Sequence, residues 1–211
     1  MIDLHTHSLF SDGALIPSEL VRRAEARGMT AIGITDHGDA SNIDLIIPRL
    51  VAVSKQLNEV QDIKMIPGIE LTHVPPSQIA DVAEKARALG ARIIIVHGET
   101  IVEPVAPGTN SAAVKANIDI LAHPGLITFE DVQIAKERGI LLEITARGGH
   151  SLTNGYVAAM AKKAGAGMVI NTDAHQPGDL IDETFAKQVV VGAGLTENDF
   201  HDMQKNTHCF I

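Results

Sequence analysis

The chain has 211 residues and a formal net charge of −9 when its histidines are neutral. This length is enough for one domain with a substantial core, and we expect residues 1–211 to form it. The acidic charge disfavours a broad electrostatic grip on nucleic acid, although bound divalent cations would cancel part of it. A single cysteine, Cys209, excludes an internal disulfide.

Neither a membrane span nor a secretion signal is evident in the sequence. No apolar run approaches the roughly 20 residues that a bilayer crossing requires. The N-terminal segment lacks the basic region and apolar stretch of a signal peptide. We therefore expect a cytoplasmic protein that does not bind membranes.

Seven short runs rich in β-branched residues alternate with amphipathic segments along the chain. The alternation predicts parallel strands joined by right-handed helical crossovers, which is an α/β fold. Composition alone leaves a closed barrel and an open, doubly wound sheet as alternatives. The runs are Met1–His5, Thr30–Thr35, Ile63–Leu71, Ala91–Val96, Ile118–Ala122, Ile140–Ile144 and Met168–Asn171.

The segments between the runs carry helix start and stop signals. Pro17 stands in the first turn of the first helix, and Gly28 follows its last turn. A second helix is predicted to end at Gly90. Thr128 is placed to cap a third helix that ends at Gly139.

The unusual polar residues cluster at the C-terminal ends of the predicted strands. His5 and His7 are two positions apart, so in a strand their side chains point to the same face. Active sites of parallel α/β folds lie at this end of the strands. Convergence from all seven strands favours a barrel, because the outer edges of an open sheet could not meet. Of the ten histidines, only His201 and His208 lie well away from these ends.

Nine of these side chains form a set that is typical of metal ligands. Histidine and carboxylate donors without thiolates suit Zn²⁺, Mn²⁺ or Fe²⁺. Because one ion takes three or four protein ligands, nine ligands imply two or three ions, with carboxylates bridging neighbours. The nine are His5, His7, Asp12, His37, Glu70, His97, His123, Asp173 and His175.

The sequence resembles the PHP (polymerase and histidinol phosphatase) family of metal-dependent phosphoesterases. The matching stretches are LHTHS with SDG, ITDHG, GIE, VHG, AHP and NTDAH, which occur in the family's order within residues 3–175. The resemblance implies a distorted (β/α)₇ TIM-like barrel with a trinuclear metal centre. The length is similar to that of the family's short, stand-alone form, which implies an active enzyme.

The resemblance also implies a distribution of the nine ligands among three ions. A first ion would take His5, His7, Glu70 and Asp173. A second ion would share Glu70 and take His97 and His123. A third ion would take Asp12, His37 and His175.

Phosphate ester hydrolysis needs a nucleophile and neutralisation of the phosphoryl charge, and clustered divalent ions can supply both. The nucleophile would be a hydroxide formed from a water that bridges the ions. Asp12, His37, His175 and Arg147 are our candidates for the catalytic residues. Arg147 is either a two-pronged phosphate clamp or an ordinary loop arginine. His150 and His73 are further candidates for substrate contact. Glu143 either faces the same site or forms buried hydrogen bonds, and we expect Asp36 to support a ligand or cap the loop.

The favoured function is a phosphomonoesterase acting on a small phosphorylated metabolite, similar to histidinol phosphatase. The alternative is a nuclease or phosphodiesterase, which the acidic charge and the few aromatic residues disfavour. An amidohydrolase would ordinarily need eight strands and a bridging lysine, and no lysine ends a central run here. A module that binds metal without catalysis is the remaining alternative. Residues 99–110 form a long loop that either shapes the substrate pocket or is a plain surface excursion.

Overall fold

A computed structural model describes all 211 residues of the chain. Eight parallel strands form the central sheet, and each of the seven predicted runs overlaps one of them, with β1, β5 and β7 each ending one residue beyond its run. The strands are β1 (Ile2–Thr6), β2 (Ala31–Ile34), β3 (His37–Gly38), β4 (Lys64–Leu71), β5 (Ile93–His97), β6 (Ile120–Ala122), β7 (Leu141–Thr145) and β8 (Met168–Asn171).

Helices connect the strands and cover the outside of the sheet. The helices are α1 (Pro17–Ala26), α2 (Ile43–Val60), α3 (Ile79–Ala88), α4 (Thr109–Ala113), α5 (Phe129–Arg138), α6 (Asn154–Ala164), α7 (Glu183–Gly192) and α8 (Glu197–Asn206). Short 3₁₀ turns occur at Pro76–Gln78, His150–Thr153, Pro177–Asp179 and Thr207–Phe210. The predicted cap of α5 is confirmed, because the Thr128 side chain accepts a hydrogen bond from the backbone N–H of Asp131.

The seven main strands are arranged in the order β1-β2-β4-β5-β6-β7-β8 and form a nearly closed α/β barrel. The predicted TIM-like fold is therefore confirmed. The sequence did not predict β3, a two-residue strand that pairs with the end of β4 and places His37 opposite Glu70. Thr35 and Asp36 lie between β2 and β3, so His37 belongs to a strand of its own, whose register against β4 continues that of β2.

Side chains close the seam between β1 and β8, where one backbone bridge joins Thr6 to Ala174. The Asn171 side chain accepts a hydrogen bond from the backbone N–H of Leu4 at 2.9 Å. The buried Asp3 carboxylate accepts two from Thr172, at 3.2 Å from the backbone N–H and at 2.5 Å from the hydroxyl. These contacts satisfy backbone groups that a regular strand ladder would otherwise pair.

Two apolar clusters flank the strands. The larger contains 47 buried residues and fills the layer between the sheet and the helices. A smaller cluster of ten buried residues fills the barrel interior, and Phe210 packs against it. Polar residues replace this inner packing at the C-terminal ends of the strands, so the barrel presents its chemistry at that end.

One extra residue in β1, between Asp3 and Thr6, shifts the register of β1 against β2. Such a bulge re-aims the side chains that follow it. Leu4 belongs to the inner apolar cluster, and the next residue, His5, also faces the barrel centre. His5 and His7 therefore face the barrel centre directly above the apolar side chain of Leu4.

No helix of the chain is both long enough and apolar enough to cross a membrane.

Candidate metal centre

All nine predicted ligands converge at the C-terminal end of the barrel. Glu70 and Asp173 lie at the middle of the cluster, and both carboxylates are buried. Imidazoles surround them from β1, from β3, from the ends of β5 and β6, and from the segment after β8. Each of the nine belongs to at least one group of donor atoms that could hold a metal ion, and the donor atoms of one group lie within 4.8 Å of one another.

His5 and His7 approach the two central carboxylates from β1. Nε2 of His5 lies 3.4 Å from Oε1 of Glu70 and 3.7 Å from Oδ1 of Asp173. Nε2 of His7 lies 3.1 Å from the same Asp173 oxygen and 3.8 Å from Oε2 of Glu70. These four residues are the set that the family resemblance implied for a first ion.

His123, just beyond β6, approaches the same two carboxylates, and His97, at the end of β5, lies beside it. Nε2 of His123 is 3.7 Å from Oε1 of Glu70 and 3.7 Å from Oδ2 of Asp173. The rings of His97 and His123 meet edge to face with centroids 4.5 Å apart. Oε1 of Glu70 thus faces both His5 and His123.

Asp12, His37 and His175 form the outer part of the cluster. Oδ1 of Asp12 lies 3.4 Å from Nε2 of His37 and 3.3 Å from Nε2 of His175. The two imidazole nitrogens are 3.4 Å apart. Gly13 follows Asp12 directly, and a side chain there would collide with the backbone of His7. The SDG segment can fold back onto β1 only because this position is glycine.

The spacing of these atoms fits a metal centre. Ligand atoms at about 2.1 Å from one ion lie about 3.0–3.4 Å apart at octahedral or tetrahedral angles. Four pairs around Glu70, Asp173 and Asp12 fall in this range, between 3.1 and 3.4 Å. Nδ1 of His37 lies closer to Oε2 of Glu70, at the hydrogen-bond distance of 2.7 Å. Several of the same atoms are buried without any hydrogen-bond partner, which is costly unless a ligand occupies the space between them. They include Nε2 of His5, both ring nitrogens of His7, Nδ1 of His123 and Oε1 of Glu70.

The hydrogen bonds of three histidines fix which ring nitrogen faces the centre. Nδ1 of His175 lies 2.9 Å from the carbonyl oxygen of Asp173, and Nδ1 of His97 lies 3.2 Å from that of Gly98. Nδ1 of His5 lies 2.8 Å from the Glu143 carboxylate. Because these oxygens only accept, Nδ1 carries a proton, and Nε2 is the nitrogen that can ligate a cation within the cluster. This arrangement prepares the imidazoles to bind a cation.

The charges within the cluster shift several pKa values. Burial favours the neutral carboxyl of Glu70, but His5 and His37 outweigh burial and hold the pKa of Glu70 well below its usual value. Burial also lowers the pKa of His37, but Glu70 and Asp12 outweigh it and raise that pKa to about 10. Burial lowers the pKa of His7 to about 4. The metal-free cluster thus balances buried carboxylates with protons on particular imidazoles, and a metal ion would replace those protons.

The pKa of Asp12 is set by the same balance as that of Glu70. Burial favours its neutral form, but the hydrogen bond and charge of His37, together with His175, outweigh burial and lower the pKa of Asp12 to about 2. Asp12 is the most exposed of the nine side chains, at 58 %. It is therefore an ionised acceptor at the open edge of the cluster.

Glu143 lies within β7 and is fully buried. Its Oε2 accepts hydrogen bonds from Nδ1 of His5 and from the Asn171 side chain, each at 2.8 Å. Asn171 in turn accepts from the backbone of Leu4 across the seam. Of the two predicted roles for Glu143, the structure favours the buried hydrogen-bonding group, which holds the His5 ring in place.

Asp36 organises the loop that carries Asp12. Its carboxylate accepts four hydrogen bonds of 2.7–3.1 Å, from the backbone N–H and hydroxyl groups of Ser8 and Ser11. The expectation that Asp36 supports the ligand loop is confirmed by these contacts.

The three residues predicted to contact substrate lie around one cavity of about 240 Å³ above the cluster. Arg147 is half-buried and pairs with Asp179 at 3.2 Å. His150 is nearly buried, and its Nδ1 lies 2.8 Å from the hydroxyl of Thr100. His73 is the most exposed of the three, at 41 %. No apolar side chain lines this cavity.

Two acidic residues at the mouth were not singled out from the sequence. Asp179 accepts hydrogen bonds from the backbone N–H groups of His175 and Gln176 and pairs with Arg147. Glu103, in the loop after β5, contacts three histidines of the mouth. The length of that loop was the only signal in the sequence, because nothing in a loop's composition reveals which of its side chains turns inward.

Comparison with known proteins supports the interpretation of this geometry. The model of the PHP domain matches residues 3–104, which include Asp12, His37, Glu70 and His97. The chain belongs to the PHP family.

Relatives in this family differ in size and in name. Uncharacterized protein MJ1295 of Methanocaldococcus jannaschii is 51 % identical over 95 % of this chain and 93 % of that protein. A Thermoanaerobacter sp. (strain X514) protein named "Probable phosphatase" is 25 % identical over 94 % of this chain and 88 % of its own length. The DNA polymerase/3'-5' exonuclease PolX of Bacillus subtilis is 23 % identical over 92 % of this chain but only 37 % of its own length.

The barrel also resembles a chain in the cryo-EM structure of archaeal ribonuclease P with mature tRNA. The match has a TM-score of 0.73 and covers all of this chain and 89 % of the other. Because the two sequences are only 17 % identical, this similarity shows a shared fold and not a shared function.

Proposed function

We propose that this chain is a metal-dependent phosphoesterase whose substrate is the phosphate monoester of a small metabolite, similar to a histidinol phosphatase. The observation that carries the proposal is the convergence of buried imidazole nitrogens that lack hydrogen-bond partners around two buried carboxylates. Membership of the PHP family and the relatives named as phosphatases support hydrolase activity.

We propose that the nine ligands hold two or three divalent ions, of Zn²⁺, Mn²⁺ or Fe²⁺. His5, His7, Glu70 and Asp173 would hold one ion. His97 and His123 would hold a second with Glu70, and Asp12, His37 and His175 would hold a third. When bound, such ions neutralise phosphoryl charge and make water a stronger nucleophile near neutral pH.

The side chains at the mouth would position the substrate. Arg147 uses one guanidinium nitrogen for Asp179, which leaves its other donors free for two phosphoryl oxygens. His150 and His73 line the same cavity, and Nε2 of each lies 3.3 Å from Glu103, so they could donate to further oxygens of the substrate once Glu103 moves away. Asp12, His37 and His175 lie at its open edge, where as ligands of the third ion they would place its positive charge beside the phosphoryl group.

The size and lining of the cavity support a small monoester. A volume of about 240 Å³ is below the range of roughly 300–1,000 Å³ that accommodates drug-sized ligands. No aromatic side chain other than histidine lines it, so it offers no platform on which a base could stack. A phosphoryl group with a compact polar leaving group fits this site best.

A nuclease or phosphodiesterase is the second candidate, and the relatives give it specific support. PolX of Bacillus subtilis is named as an exonuclease, and a Haemophilus influenzae protein named "5'-3' exoribonuclease" is 37 % identical over 33 % of this chain. The net charge of −9 opposes nucleic acid binding unless bound cations offset it.

Hydrolysis of an aryl phosphate monoester and of the matching diester, measured on metal-reconstituted protein, tests the proposal. We expect turnover of the monoester, followed by activity on a panel of phosphorylated metabolites that includes histidinol phosphate. Turnover of the diester alone would favour the nuclease. Neither activity at full metal occupancy would contradict both candidates.

A further inference from the structure

The loop between β5 and α4 is fixed at both ends. Oε1 of Glu99 accepts hydrogen bonds from the backbone N–H groups of Gly108 and Asn110, at 3.0 and 2.9 Å. The Asn110 side chain accepts from the N–H of Glu99 at 3.0 Å and donates to the carbonyl of Pro124 at 2.8 Å. Gly125 packs against the backbone of Glu99 with φ +61°, where any side chain would collide. The apex of the loop is thereby held over the cavity.

Glu103, at this apex, directs its carboxylate toward three imidazoles from different elements. Its Oε2 lies 3.2 Å from Nε2 of His97 and 3.3 Å from Nε2 of His73. Its Oε1 lies 3.3 Å from Nε2 of His150. The donor atoms of His73, His97 and Glu103 also form a group that lies within 4.8 Å and could hold a cation.

The hydrogen bond at the far side of the His97 ring makes the Glu103 contact informative. Nδ1 of His97 faces a backbone carbonyl, so Nε2 is the ring nitrogen that can ligate a cation, and it lies 3.2 Å from Oε2 of Glu103. A positive charge between these two atoms, either a proton or a metal ion, stabilises such a contact. That distance is also the separation of two ligand atoms on one ion, about 3.0–3.4 Å.

The backbone of His73 gives an independent indication. Its φ of +52° is in the left-handed region, which residues other than glycine adopt infrequently. Such conformations concentrate at functional sites, because surrounding contacts must maintain them. Here the conformation is combined with a side chain that turns toward Glu103 and stacks against His97 with ring centroids 5.1 Å apart.

We propose that Glu103 is a tenth protein ligand of the metal centre, which the loop delivers to the ion held by His97. Binding of that ion then orders residues 101–107 over the cavity, and Glu103 has to release the ion or share it when substrate enters. The inference rests on the proposed function, because it requires a metal centre to exist.

Zinc affinity and loop exchange, measured on the same proteins, test this role without relying on activity. Wild-type protein, Glu103→Gln and the control Glu137→Gln are titrated with Zn²⁺ against a chelator of known affinity. Glu137 is an exposed glutamate on α5 with no ion-pair partner in the structure. Hydrogen exchange of residues 101–107 is followed with and without Zn²⁺.

In wild-type protein and in the control, we expect Zn²⁺ to slow exchange in the loop. In Glu103→Gln, we expect one ion to bind at least about tenfold more weakly, because loss of a ligand should cost at least as much affinity as loss of a group that supports a ligand. We also expect the loop of this variant to show no metal-dependent protection. Unchanged affinity with faster loop exchange even without metal would assign Glu103 a structural role and overturn the inference. Absence of metal binding in wild-type protein would instead overturn the proposed function itself.

Discussion

Glu143→Gln separates the support of a ligand from the ligand itself. In the wild type, one carboxylate oxygen accepts from both His5 and Asn171 at 2.8 Å. Glutamine preserves the shape and one acceptor but removes the negative charge that favours the proton on Nδ1 and strengthens Nε2 of His5 as a donor to metal. Loss of such a supporting carboxylate typically costs 10–100-fold in metal affinity, or about 1.4–2.7 kcal/mol.

Competition of Glu143→Gln with a zinc chelator measures this loss directly, and thermal unfolding of the metal-free protein provides the control. We expect weaker metal binding with a melting temperature close to that of the wild type, because both hydrogen bonds can still form. Glu143→Ala should instead lower the stability of the metal-free protein, because it leaves two buried donors without a partner, each at a cost of about 1–3 kcal/mol. A Glu143→Gln protein that bound Zn²⁺ as tightly as the wild type would refute the view that this carboxylate prepares His5.

Three further perturbations have definite expected outcomes. Zinc affinity should rise with pH, because Glu70 and Asp12 raise the pKa of His37 to about 10 and His37 must lose its proton when the metal binds. Calorimetry in buffers of different ionisation enthalpy detects the released proton. An affinity that does not change with pH would contradict the role of His37 as a metal ligand. Asp36→Ala should lower the free energy of unfolding by about 3 kcal/mol or more, because four hydrogen bonds to a buried carboxylate are lost. The control Asp39→Ala, at an exposed position, should lower it much less. Equal losses of unfolding free energy in urea denaturation would be evidence against a special role for Asp36. Arg147→Lys should raise KM for a phosphate monoester about tenfold at unchanged metal content, because lysine cannot bind two phosphoryl oxygens at once as arginine can. An unaltered KM would place Arg147 outside the substrate site.

The convergence of the nine predicted ligands was predictable because it depends on periodic features. A β-branched run defines a strand, parallel strands place their C-terminal ends together, and His5, Glu70 and Asp173 each lie at or just beyond such an end. Helix boundaries followed similarly from local chemistry, as at Thr128, whose hydroxyl caps α5. Each inference needs only a few neighbouring residues, so the sequence carries it.

Features that depend on contacts distant in sequence were not predictable. The pairing of His37 with Glu70 depends on the register of β3 against β4, and the bulge in β1 depends on its register against β2. Glu103 reaches the mouth only because Glu99 and Asn110 fix the ends of its loop. The left-handed backbone at His123 and Asp173, with φ of +27° and +52°, likewise depends on the packing around the site.

The central claim is that this cluster binds several divalent ions, and counting the metal tests it most directly. The protein is stripped with a chelator, reconstituted separately with Zn²⁺, Mn²⁺ or Fe²⁺ without oxygen, and freed of excess ion before elemental analysis. The account predicts two or three ions per chain with at least one of these metals, and fewer in Glu70→Gln, which removes the shared carboxylate charge. A chain that retains no ion under any of these conditions would contradict the account.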